Sequence, residues 1–369
     1  MKRPANILRF DPRRLTTLVL AGGACIALLL AGTCHPGLLR ARAALGPTSL
    51  APLERATPLV AFSTIALGGF RGIIADILWL RASALQDDGR YFEIVQLADW
   101  ITKLEPRLTE VWAYHAWNMA FNIGGMMASP ADRWRWVRNG YVLLRDEGIR
   151  YNPGDPMMYF ELGWLFQSKI GGRTDPTEAF YRRLWCAEMD EVLGPTAGRI
   201  APALADPTRT ATLARDYRLS PPLVREVEAR YGPLDWRLPE THAVYWAYCG
   251  NRVSRNGHHL KCSRMIYQSL TQLFLRGRFP EGETWAIDKA EPDLRLARAV
   301  AQAYEDTLLA GPITGTFVSY AAFLEKAIHM LRAAGEDARA RELFSILTQR
   351  FPAQTSGKDY ETYLLQPHT

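Results

Sequence analysis

Between Leu15 and Cys34 the chain runs for twenty residues without a charge, LTTLVLAGGACIALLLAGTC. At 1.5 Å per residue a helix of that length matches the roughly 30 Å hydrocarbon layer of a bilayer, so the segment is long enough to span one. Lys2, Arg3, Arg9, Arg13 and Arg14 precede it, whereas only Arg40 and Arg42 follow closely. That asymmetry predicts a cytoplasmic N-terminus and export of everything downstream. The competing use of the segment is a cleaved signal, for which Ala41-Arg42-Ala43 after Pro36 supplies a small-x-small site. The apolar stretch is longer than the roughly 7–15 residues of such signals, which favours an uncleaved anchor. Either way the body lies outside the cytoplasm, and as an anchored chain it is a single-pass inner-membrane protein with its body on the periplasmic side. Thr33 before Cys34 departs from the lipidation pattern, and Thr16 after Arg13-Arg14 departs from the twin-arginine pattern. A second apolar run, Ala56 to Phe70, holds Pro58 and Gly68-Gly69 and is too short to span, so it reads as a packed or interfacial helix.

The 369 residues are enough for about two domains or one elongated array. With 48% apolar and 22% charged residues the chain is not intrinsically disordered. The formal net charge is +6, but the basic residues of the first fourteen positions, set against Asp11 alone, carry most of it. No concentrated basic face remains, which argues against nucleic acid as a partner. Five scattered cysteines suit neither a disulfide-built scaffold nor a structural zinc pattern.

Beyond residue 70 the periodicity is helical. Ile73, Ile77, Leu80, Ala84 and Leu85 follow helical spacing, as do Ile94, Leu97, Ala98 and Ile101. Breaks fall at Asp87-Asp88-Gly89, Glu105-Pro106, Ser129-Pro130, Asn152-Pro153-Gly154-Asp155-Pro156 and Gly171-Gly172. The fold class is therefore all-α, with short helices stacked as hairpins.

The hairpins carry a period. Counted from Pro156 on a 34-residue repeat, Tyr159, Leu162, Gly163 and Phe166 fill the bulky, apolar, small and aromatic positions of a first helix. Counted from Thr109, Trp112, Ala116 and Met119 do the same, with His115 replacing the expected apolar residue. Counted from Ala321, Gly335, Ala340, Phe344 and Pro352 are in phase, although Leu347 is larger than the pattern wants. On these residues the chain resembles the tetratricopeptide-repeat family over 73–190 and 318–354. Ile170 to Thr177 reads as an insertion, Asn122 to Asp132 widens a hairpin, and 191–317 shows no phase. The expected organisation is a basic N-terminus (1–14), an anchor (15–34), a linker (35–55), N-terminal repeats (56–190), an irregular helical region with a proline-rich surface loop (191–317) and a C-terminal hairpin with its tail (318–369).

The resemblance implies a superhelix whose first helices line a concave groove that holds a peptide or partner helix. The groove positions fall on Glu110, Trp117, Met157, Phe160, Trp164, Gln167, Glu325, His329 and Arg332. Two other classes stay open: a structural subunit of an envelope transport, secretion or polymer-export complex, and an exported enzyme centred on 235–262. A further alternative is that 191–317 fills the groove.

Chemistry-bearing clusters are few. Cys249, His258, His259 and Cys262 have the ligand types for zinc at an unfamiliar spacing, and Cys249 with Cys262 is a candidate disulfide in an oxidising compartment. Cys186 beside Trp185 reads as a buried apolar residue. His242 near Asp235 and Glu240 can be written as an acid–base group, but caps and surface contacts explain these residues as well. Arg237, Arg252, Arg255, Lys261 and Arg264 form a locally basic stretch that reads as a solvated face or an anion contact. The crowding of Trp100, Trp112, Trp117, Trp134, Trp136 and Trp164 reads as core. No nucleophile elbow, phosphate loop, zinc-protease or dinucleotide motif occurs, so neither catalytic residues nor a cofactor are expected.

Overall fold

The computed structural model describes residues 70–172, 175–255, 257, 259–279, 285, 289–311 and 314–365, together with Gly22, Gly23 and Ile26. The chain divides after Ala61, and every helix named below belongs to the unit Phe62–Thr369. Regular structure among the described residues is helical, save for one isolated antiparallel bridge between Arg278 and Glu291. No helix among them is long and apolar enough to cross a membrane. The span Leu15–Cys34 and the run Ala56–Phe70 lie outside the described residues, apart from helical Gly22, Gly23 and Ile26 and the first residue of α1.

Helix α1 (Phe70–Asp87) pairs with α2 (Tyr91–Leu104). Helix α3 (Thr109–Trp117) passes through a π-helical turn (Asn118–Ile123) into Gly124–Met126. Helix α4 (Pro130–Val142) continues through a second π turn (Leu143–Gly148) to Ile149–Tyr151, and α5 (Pro156–Trp164) through a third (Leu165–Ile170). The starts of α4 and α5 follow from local chemistry. Ser129 caps Asp132 N at 3.1 Å and Asp155 caps Met157 N at 2.9 Å, each followed by a proline whose missing N–H costs nothing in the first turn.

After α6 (Glu178–Leu193), the stretch expected as a surface loop folds into three short helices, α7 (Ile200–Ala205), α8 (Pro207–Asp216) and α9 (Pro221–Tyr231). The reason is that Pro207 and Pro221 open helices instead of breaking them; Asp206 caps Thr208 N at 2.8 Å. Helix α10 (Pro239–Val253) and α11 (Leu260–Arg276) form a hairpin against α5. They are followed by α12 (Ala297–Ala310), the hairpin α13 (Thr314–Ala333) and α14 (Asp337–Arg350), and the short α15 (Pro352–Thr355) and α16 (Tyr360–Leu364).

Of the residues its spacing suggested, Ile73, Ile77, Leu80, Ala84 and Leu85, helix α1 buries Leu85 alone. Ala75, Ala82 and Leu85 are buried against α2, whereas Ile73, Ile77 and Leu80 are 57%, 60% and 71% exposed. Both faces of α1 are apolar, so periodicity alone had two answers. The alanines let α2 approach closely and so take the core side.

Gly163 is a point of close approach, but its partners are α10 and α11, not the second helix of its own hairpin. A Cβ built there meets Met265 Sδ at 2.7 Å, the Ala243 carbonyl oxygen at 3.3 Å and Trp246 Cβ at 3.5 Å. The methionine end can move and the backbone carbonyl cannot. Replacing Gly163 with Leu is therefore expected to destabilise the protein by about 1–3 kcal/mol through overpacking. Urea denaturation of the variant checks this, and an unchanged midpoint would refute the contact.

Candidate functional site

The residues singled out as groove positions divide into two groups. In the first, α3 and α5 present one aromatic stripe. The Trp117 ring stacks on Phe121 (centroids 5.5 Å apart, 22° between planes), and Phe121 stacks on Trp164 (5.1 Å, 29°). Trp117 is 38% exposed, while Phe121 and Trp164 are half-buried. Phe160, one turn before Trp164, has the Lys261 ammonium of α11 at 5.3 Å from its ring. Gln167 donates to Ser269 Oγ at 2.8 Å, Met157 is half-buried and Glu110 is exposed at the start of α3. Helix α11 thus stands beside the stripe and leaves its outer edge open.

Beneath the stripe lies a buried cation. Lys169, 3% exposed on the third π turn, places its ammonium 4.5 Å from the Phe121 ring centre and 2.5 Å from Asp175 Oδ2. Burial opposes ionisation of Asp175, but hydrogen bonds from Lys169 and Thr177 outweigh it and hold the carboxyl below its ordinary value. A charge so placed fixes the ring above it by cation–π attraction. Phe121 and Lys169 were not singled out from the sequence. Both sit in π turns, which displace side chains from the positions a regular helix assigns.

Along α11 the surface turns polar. Arg264, Gln268 and Gln272, with Tyr304 of α12 and Thr316 and Ser319 of α13, line a cavity of about 590 Å³. The Thr316 hydroxyl is buried there without a hydrogen-bond partner, and Tyr267 and Tyr304 stack at 4.1 Å.

The second group, on α13, faces the chain's own C-terminal segment. His329 packs on the Tyr363 ring of α16 at 5.8 Å, Arg332 pairs with Asp337 at 2.7 Å, and Tyr363 feels the charge of Glu325 as well as its own burial.

Cys249 and Cys262 are free, buried thiols, so the disulfide considered for them is not formed. Cys262 Sγ lies over Gly250 and donates to the Pro156 carbonyl at 3.6 Å, which directs it toward α5. Burial raises both thiols to about 12. His258 lies outside the described residues, and among the described residues no group of three or more His, Cys, Asp or Glu is placed to hold a metal ion.

His242, Asp235 and Glu240 do not form a group. His242 is 1% exposed, walled by Phe166, Trp185 and Trp236, with Nε2 2.9 Å from the Trp236 carbonyl. Asp235 is held by Arg237, and Glu240 pairs with Arg182 in the core. Arg237 also stacks on Trp285, so the basic stretch is dispersed over several contacts. No family model matches the chain, and no curated protein matches it either.

Proposed function

We propose that the chain is an exported, membrane-anchored scaffold, similar to tetratricopeptide-repeat proteins, that holds a segment of a protein partner on the surface of α3, α5 and α11. The carrying observation is the Trp117–Phe121–Trp164 stack, open along its outer edge and fixed from below by Lys169 and Asp175. Rigid aromatic side chains that lose little freedom on binding are the usual anchors of protein interfaces. Lys261 and Arg264 continue the surface on α11 and suit an acidic residue next to the partner's apolar segment. The anchor is the run Leu15–Cys34, and the partner is a protein of the cell envelope.

The test uses the full-length protein solubilised from membranes. Trp164→Ala and Phe160→Ala are expected to leave circular dichroism unchanged while weakening capture of the co-purifying partner by about tenfold or more, the scale of losing an interface anchor. If both variants unfold, the rings serve the core and the reading fails. A second reading, a structural subunit of an envelope complex, draws support from the exposed apolar face of α1, formed by Phe70, Ile73, Ile77 and Leu80. An exported enzyme centred on 235–262 has less support, since His242 and both thiols there are buried.

A further inference from the structure

A separate cavity of about 440 Å³ opens where the end of α4, the α8–α9 junction, α5 and α10 meet. Its floor is carbon-rich, built from Ile149, Tyr159, Leu223, Tyr245, Trp246 and Cys249. The two tyrosine hydroxyls are already engaged: Tyr159 donates to the Pro153 carbonyl at 2.9 Å, and Tyr245 accepts from Ser220 N at 2.8 Å. Cys249 is a neutral thiol, pushed up to about 12 by burial. The floor therefore offers an apolar body little but contact area.

The mouth is cationic. Arg145, Arg150, Arg218 and Arg252 line it against one lining carboxylate, Asp146, while Glu147 beside the lining pairs with Arg150 at 3.7 Å. Asp146 accepts from Arg145 at 2.7 Å and from Arg218 at 3.0 Å, so one negative charge is shared between two guanidiniums. Arg252 has its nearest carboxylate, Glu226, at 3.8 Å, which is too far for a hydrogen bond. Arg218 and Arg252 are 54% and 59% exposed and stand at the water side. The exposed guanidinium forks of Arg218, which shares its carboxylate with Arg145, and of Arg252, which makes no hydrogen bond to Glu226, match carboxylate and phosphate geometry, and the volume lies within the roughly 300–1,000 Å³ of small-molecule sites.

From this arrangement we infer that the cavity binds an amphipathic anion, with its apolar body on Tyr159, Trp246 and Cys249 and its carboxylate or phosphate head against Arg218 and Arg252. The site is independent of the aromatic stripe and does not rest on the scaffold reading.

The experiment measures decyl phosphate binding, by equilibrium dialysis, to the full-length protein in zwitterionic lipid nanodiscs, with empty nanodiscs as the blank. Decyl phosphate is expected to bind, while decanol and inorganic phosphate alone bind at least about tenfold more weakly, because each lacks one half of the recognition. Arg218→Gln and Arg252→Gln should each weaken decyl phosphate by about tenfold. Leu223→Trp and Val253→Trp, at half-buried lining positions, should block it while leaving circular dichroism unchanged. Competition by anionic phospholipid in the disc would support the site and assign its head group to the bilayer; failure to compete would support it and assign a free amphiphile. No uptake beyond the blank, binding that survives both tryptophan variants, or decanol binding as tightly as decyl phosphate would each overturn the inference.

Discussion

Acidification from about pH 7 to about pH 4 is expected to remove roughly 6 kcal/mol of folding stability, through two buried histidines alone. His242 and His115 are 1% and 3% exposed, and burial lowers each from the ordinary 6.5 to about 4. His242 gives its one ring proton to the Trp236 carbonyl, and a second proton would bring charge among aromatic rings. Neither ring nitrogen of His115 has a hydrogen-bond partner. The sign follows from proton binding: the unfolded chain takes up protons below 6.5 and the folded chain only near 4. Stability is therefore full above about pH 6.5 and falls until about pH 4, by roughly 3 kcal/mol for each imidazole. Urea denaturation at a series of pH values reads this directly. His115→Leu, which restores the apolar residue of the repeat pattern, should lose about half of that sensitivity and gain about 1 kcal/mol at neutral pH, since an unpaired buried polar group is removed. A variant with the acid sensitivity of the wild type would show that His115 is not held neutral.

Glu240→Ala is expected to cost about 3–5 kcal/mol, because it strands a guanidinium in the core. The side chains of Arg182 and Glu240 are 1% and 2% exposed and form an ion pair. Arg182 also donates to the Gly171 carbonyl at 3.0 Å, and Arg276 reaches the same oxygen at 3.3 Å. The pair thereby joins α6, α10, α11 and the end of the third π turn. Replacing both partners by apolar residues of similar volume, Arg182→Met with Glu240→Leu, should recover most of the loss, as the desolvation of both charges is then avoided. Equilibrium unfolding of the single and double variants decides the matter; a double variant no more stable than Glu240→Ala would mean that the cost lies in packing and not in charge.

The helices were legible because their punctuation is local. Ser129-Pro130 and Asp155-Pro156 announce a cap and a first turn without help from the rest of the chain. Burial was less legible where a helix carries two apolar faces: Ile73, Ile77 and Leu80 satisfy the spacing rule as well as Ala75 and Ala82 do, and only the approach of α2 chooses between them. The aromatic stripe was half legible. Trp117, Phe160 and Trp164 were recognised by register, but the ring that joins the two tryptophans, Phe121, and the cation beneath it, Lys169, lie in π turns and have no fixed register. Glu325, His329 and Arg332 were chosen on the same register, yet contacts with α16 and Asp337 engage that face of α13, and the position of a terminal helix is a tertiary fact that spacing does not encode.

The three π turns carry a consequence for how the chain compares with itself. Each holds about one residue more than an α-helical turn, the equivalent of a single insertion placed inside a helix instead of a loop. A ruler of fixed period laid along α3, α4 and α5 therefore slips by one position in each. An alignment of any of these helices with an unbroken α-helix must open its gap inside the helix, at Asn118–Ile123, Leu143–Gly148 or Leu165–Ile170, whereas α3 and α5, each with nine residues before the turn, align with one another without one.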